Sequence, residues 1–264
     1  MNDVKELIDS LHLEDIRNDI HPSFFDENEE YDMLIIRLPI IANALEIHSY
    51  GFILATEKSY YYDKSKKEFE ELSSRFEGPY KFLDKLCDRL VKSFETYKDA
   101  IADMEEVLYV DKAPDDFMTK WLGLKRDILR IERILMRTSE TMKEVIDYYT
   151  KEELFPMNSY VDVYEHIERV NRSATLQLSK LDYIYNFYNA RTNEKMNKMV
   201  YLLTIISAIF LPLNLVVGFF GMNTSGLPFA GGEFGTLSAI ILMLSLVTIT
   251  SFIVHLWRRK VESL

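Results

Sequence analysis

The sequence predicts an α+β chain: a small N-terminal α/β domain, then a long stalk helix continuous with the first of two C-terminal transmembrane helices. Three observations predict it. Runs rich in branched and aromatic residues are gathered before residue 64, helical periodicity takes over from Ser65, and two apolar stretches of membrane-spanning length lie beyond residue 198.

The opening MNDVKELIDSLHLED alternates acids with apolar residues and lacks a basic segment followed by an apolar core, so no cleavable leader is predicted. Tyr31 to Leu38 (YDMLIIRL), closed by Pro39, reads as a strand, as does Leu45 to Ala55 (LEIHSYGFILA). Ser59 to Asp63 (SYYYD) reads as a third. Lys66 to Phe76 has the spacing of an amphipathic helix, and Pro79 to about Val110 that of a longer one with its proline in the first turn. Ala113, Pro114 and Asp115 interrupt the helical pattern.

A third helical run extends from Asp116 to about Thr150. Leu122, Ile128, Leu129, Ile131, Ile134 and Leu135 make a broad apolar face, and Lys125, Arg126, Arg130, Arg133 and Arg137 lie elsewhere. Those bases have two readings, neutralising acids on neighbouring helices or contacting lipid headgroups; the first is favoured because charged stripes are usually paired or solvated faces.

Pro156 opens a run with no further proline until Pro212 and no glycine until Gly218. A helix continuous to Phe220 would be about 97 Å long at 1.5 Å per residue, too long to pack within one small domain. Its first part is therefore expected to pack laterally on other helices. The expected organisation is a cytoplasmic α/β and helical domain over 1–155, a stalk over 156–198, a two-helix transmembrane domain over 199–257 with an external loop at 221–236, and a basic cytoplasmic tail over 258–264.

Met199 to Phe220 carries no charged side chain and rises about 33 Å as a helix, enough for a bilayer core of roughly 30 Å. Asn197, Thr204, Ser207, Asn214, Gly218 and Gly221 nevertheless recur along one helical stripe. A polar stripe on a spanning helix faces other helices or water, since an unpaired polar group in hydrocarbon costs several kcal/mol. Thr204, Ser207 and Gly218 suit helix packing as well as a polar pathway, whereas a lone carboxamide such as Asn214 marks a helix interface or a pathway.

Leu237 to Trp257 is the second span. Arg191, Lys195 and Lys198 precede the first span, Arg258, Arg259 and Lys260 follow the second, and no base lies between, so both termini are expected in the cytoplasm. Tyr201 and Trp257 suit the inner interface.

Charge and motif content narrow the function. Removing Glu233 and Glu262 from the 42 acids, and the three tail bases from the 31 bases, leaves 40 and 28 in residues 1–198, a net of about −12. That part repels nucleic acid and attracts cations. Cys87 is the only cysteine and the five histidines are scattered. No phosphate-binding loop, nucleophile elbow or acid–base pair occurs, so an enzyme is not predicted.

At Gly221, Met222 and Asn223 the chain resembles the CorA family of divalent cation channels. The stretch LTIISAIFLPLNLVVGFFGMN, with Pro212 and Gly218 at the family's spacing, carries the resemblance, as does the basic tail after the second span. Asp162, Val163, Tyr164, Glu165 and His166 look like the family's Asp-Val-Tyr-Asp/Glu-His stretch, and Leu124 to Leu135 (LKRDILRIERIL) is similar to its basic helical signature. The resemblance implies a homopentamer in the cell (inner) membrane that passes divalent metal cations, Mg²⁺ ahead of Zn²⁺, through a pore lined by the five first spans. It implies positions that line or gate the pore at Asn197, Val200, Leu203, Leu211 and Asn214, and the polar stripe adds Thr204, Ser207 and Gly218 to the expected pore lining. It also implies an entrance ring at Gly221, Met222 and Asn223, and a regulatory metal carboxylate at Asp162, with bound Mg²⁺ holding a closed state. The external loop departs from the magnesium branch: Ser225-Gly226-Leu227-Pro228 looks more like the ZntB zinc branch. A reading from another class is a membrane-anchored oligomeric scaffold or metal sensor that conducts nothing.

Overall fold

The computed structural model describes residues 7–42, 44–110, 113–222 and 234–262. The chain divides into two compact units, Met1–Phe187 and Tyr188–Leu264.

The first unit begins with helix α1 (Ser10–Arg17), whose N-terminus is capped by Asp9 accepting from the Leu11 N–H at 2.8 Å. Five antiparallel strands follow, β1 (Phe24–Asp26), β2 (Tyr31–Ile41), β3 (Leu45–Ala55), β4 (Ser59–Asp63) and β5 (Glu68–Glu71), in spatial order β1-β2-β3-β4-β5. Each strand pairs with its neighbours in sequence, so short turns suffice throughout. Tyr31 to Ile36 are all buried because both sheet faces are covered. The odd residues Tyr31, Met33 and Ile35 pack with Ile8 and Ile16 beside α1, together with Ile53, Tyr62 and Phe69. The opposite face meets helices α2 (Glu77–Tyr109) and α3 (Phe117–Tyr148), with Phe52 and Phe82 rings 5.5 Å apart and the Thr138 hydroxyl donating to the Arg37 carbonyl at 2.7 Å.

Two expectations from the sequence are corrected. Pro39 does not end its strand: β2 continues to Ile41, and Pro39 pairs with Ile47. The Arg37 N–H points away from β3 to the Ser23 hydroxyl at 2.8 Å, so the nitrogen of Pro39, two residues on, points the same way, past the last β1–β2 pair. The ladder to β3 loses no donor. Lys66–Phe76 is also not a helix. Asp63 accepts from the Ser65 and Lys66 N–H groups, Lys67 turns the chain at φ 55, and Phe69 pairs with Tyr62 across the hairpin. The helical spacing of Phe69, Leu72 and Phe76 was outweighed by this turn chemistry and by one buried strand position.

Helices α2 and α3 place apolar residues three and four apart. Leu83, Cys87, Leu90, Phe94, Tyr97, Ile101, Met104 and Leu108 are buried along α2, and Ile128, Ile131, Leu135, Met142 and Val145 along α3. Each such aliphatic or aromatic side chain contributes about 1.5–3 kcal/mol by leaving water. A 3₁₀ turn (Tyr149–Lys151) leads to α4 (Met157–Phe220). On α4, Tyr160, Val163, Ile167, Val170, Ala174, Leu181 and Ile184 are buried within the first unit. Trp121 Nε1 donates to the Leu181 carbonyl at 2.8 Å, fixing α3 against α4.

In the second unit lie the rest of α4, with Pro212 inside the helix, and α5 (Gly235–Glu262). Both helices are long and apolar enough to cross a membrane, and the apolar windows are unburied. Each carries one less exposed stripe: Ile205, Ala208, Ile209, Pro212, Leu213 and Val216 on α4, and Ala239, Met243, Leu246 and Thr250 on α5, are less exposed than their neighbours.

Candidate functional site

The first unit brings together three metal-ligating side chains. Asp162 and His166 stand four residues apart on α4, hence on one face, and Asp84 reaches them from α2. One ligand atom from each lies within 4.8 Å of the others, and Asp162 Oδ2 is 3.9 Å from His166 Nδ1. That nitrogen is buried and has no hydrogen-bond partner. Asp162 is exposed, so the cluster has an open side. Two carboxylates and an imidazole suit a divalent ion: hard oxygens accept Mg²⁺ with retained waters, and the nitrogen adds affinity for Zn²⁺-like metals. These residues therefore fit the regulatory metal that the resemblance implies.

Sequence reasoning named Asp162 and missed Asp84, whose approach depends on the packing of α2 against α4. The His166 spacing was the available signal. Next to the cluster, burial first and then Asp84, Asp88 and Asp162 push the Cys87 thiol up to about 12. It is a packed core residue, since only the thiolate ligates metal.

In the second unit, Asn197, Val200, Leu203, Thr204, Ser207, Leu211, Asn214 and Gly218 are all exposed. They occupy the side of α4 opposite its less exposed stripe. The Thr204 hydroxyl is satisfied by its own helix, donating to the Val200 carbonyl at 2.8 Å. The carboxamides of Asn197 and Asn214 project from the open face. Gly221 and Met222 follow the helix end, with the Gly221 N–H donating to the Val217 carbonyl at 2.9 Å. Asn223, Glu233 and the loop residues between them lie outside the described residues.

The basic residues of α3 divide between partners. Lys125 reaches Asp182 on α4 at 2.6 Å, Arg126 pairs with Asp127 and Arg137 with Glu140, while Arg130 and Arg133 form no ion pair among the described residues.

A family model described as "CorA-like Mg2+ transporter protein" matches residues 7–259. This chain belongs to the CorA family. Its relatives differ in the ion they are named for. The zinc transport protein ZntB of Vibrio parahaemolyticus is 22% identical over 198 residues, covering 75% of this chain and 59% of that protein. The cobalt/magnesium transport protein CorA of Thermotoga maritima is 23% identical over 152 residues, covering 56% and 42%. The chain thus spans about half the length of the curated relatives it matches. The CorA magnesium transporter from Methanocaldococcus jannaschii shares the fold, with a TM-score of 0.76 at 18% identity over 96% of this chain and 84% of that one.

Proposed function

We propose that this CorA-family chain is one subunit of a homopentameric channel that passes divalent cations, Mg²⁺ first, through a pore lined by α4. The observation that carries the reading is the placement of Asn197, Thr204, Ser207, Asn214 and Gly218 together on the exposed face of α4, away from the less exposed stripe from Ile205 to Val216. Among the described residues, nothing buries that face. Five copies would enclose it, and their carboxamides would hydrogen-bond the water shell that Mg²⁺ surrenders reluctantly.

Leu203 and Leu211, exposed on the same side, would close the path by dewetting. Gly221, Met222 and Asn223 would form the outer entrance, with both termini on the cytoplasmic side of the cell membrane. Asp162, with Asp84 and His166, would hold the regulatory ion: a cation there offsets the repulsion between the two carboxylates and stabilises whichever arrangement brings them together. A second reading, Zn²⁺ as cargo, draws on the Ser225-Gly226-Leu227-Pro228 loop and the ZntB relatives.

The deciding experiment is competitive uptake of Mg²⁺ and Zn²⁺ into liposomes holding the purified protein, with and without a pH gradient. Channel function predicts flux down the ion gradient that falls in Asn223→Ala; no flux from an intact oligomer would favour a scaffold or sensor instead.

A further inference from the structure

The outer face of α3 carries Leu122, Leu129 and Met136, seven residues apart and 62, 40 and 52% exposed. Such spacing makes a straight apolar seam of the kind that one helix offers another. Arg126, Arg130 and Arg133 border it, all exposed. Among the described residues Arg130 and Arg133 make no hydrogen bond or ion pair, and Arg130 stands close enough to Arg37 of β2 to oppose its charge. Arg37 Nε is itself buried without a partner. Like charges gathered at an apolar seam leave a demand for carboxylates that the chain's own fold does not meet.

The complementary surface is on α2. Over its second half Glu95, Asp99, Asp103 and Glu106 are exposed along one stripe, and Asp99, Asp103 and Glu106 have no hydrogen-bond or ion-pair partner among the described residues. Ala102 and Tyr109, again seven apart and exposed, supply an apolar line within the acids.

We propose that the α3 seam of one copy docks on the acidic face of α2 of the next copy. The contact is head-to-tail, because pairing either face with itself would set like charge against like. A head-to-tail contact that repeats by rotation closes a ring. This rests on the oligomeric reading above and names the surface that joins the subunits. Anionic lipid headgroups would answer the arginines but leave the acidic stripe and both apolar lines unanswered.

The test uses full-length protein in detergent micelles. A chain with Asp99→Cys is co-expressed with a chain with Arg130→Cys, each retaining the buried Cys87, and treated with a short bis-maleimide. Covalent dimers are expected from the mixture and not from either variant alone. Arg133→Glu should cut the dimer yield several-fold, and Asp103→Lys on the other chain should restore it. The native mass of wild type separately reports oligomerisation: a monomer sinks the oligomeric reading, whereas an oligomer without cross-links overturns this interface alone. If Arg133→Glu leaves the oligomer and the cross-link yield unchanged but abolishes binding to phosphatidylglycerol vesicles, the face is a lipid site and the proposal fails.

Discussion

The Tyr149 hydroxyl donates to the same Asp32 carboxylate oxygen that receives Arg75 Nη2 at 3.0 Å. One buried carboxylate on β2 thus ties down the turn after α3 and the segment before α2, while the Arg75 guanidinium lies 4.9 Å from the Phe76 ring centre and 5.5 Å from that of Tyr149. Asp32→Ala would strand a largely buried guanidinium and should cost about 3–5 kcal/mol. Tyr149→Phe keeps the ion pair and should cost about 1–3 kcal/mol. Thermal unfolding of the two variants beside wild type checks the order.

Alkaline pH should destabilise the first unit. Burial pushes Tyr50 up to about 12 and also raises Tyr97, Tyr149 and Tyr160, with Asp127 adding to the effect on Tyr97 and Asp32 on Tyr149. Below about pH 10 the folded and unfolded chains both hold these protons. Above it the unfolded chain releases them first and binds fewer, so stability falls as pH rises. Denaturant titrations between pH 8 and 11, followed by tyrosinate absorbance, should show the loss beginning near the ordinary tyrosine range.

Asp84→Asn, Asp162→Asn and His166→Ala should each weaken binding of Co²⁺ or Mg²⁺ to the purified protein by roughly 10–100-fold, the scale on which even outer-shell partners of a metal act. Calorimetric titration reads this directly. Asp162→Ala should also relax the closure of flux by millimolar Mg²⁺; equal affinity and equal closure in all variants would assign sensing elsewhere.

Much of this architecture was legible because it rests on local periodicity. Leu45–Ala55 and Ser59–Asp63 were readable as strands from their branched and aromatic content, and the polar stripe from Asn197 to Gly218 from spacing alone. Lys66–Phe76 misled because three apolar residues at helical intervals outweighed the Asp63–Lys67 turn. Asp84 was invisible for a different reason: it sits in an amphipathic helix like any other acid, and only the crossing of α2 and α4 brings it to Asp162. Which side of α4 is the less exposed is likewise a tertiary fact.

Gly51→Ala should be costly despite its small size. The added Cβ would lie 2.8 Å from Ile16 Cγ2, and Ile16 is 1% exposed, so α1 would have to shift off β3. A loss of about 1–3 kcal/mol is expected; Ile16→Ala removes both γ carbons that the new Cβ would meet, so the double variant should cost less than the two single changes added together.

Cys87 should resist maleimide at neutral pH in the folded protein, because only the thiolate reacts. Mass spectrometry should find it unmodified until denaturant is added.

All pairings of the sheet fall between Phe24 and Glu71, each strand against its predecessor. At a synthesis rate of 5–20 residues per second, roughly 6–25 s separate the emergence of β5 from that of Met199. The nascent chain can therefore finish its sheet before either apolar helix demands a membrane, and a ribosome engaged with the insertion machinery would already carry a paired sheet outside its exit.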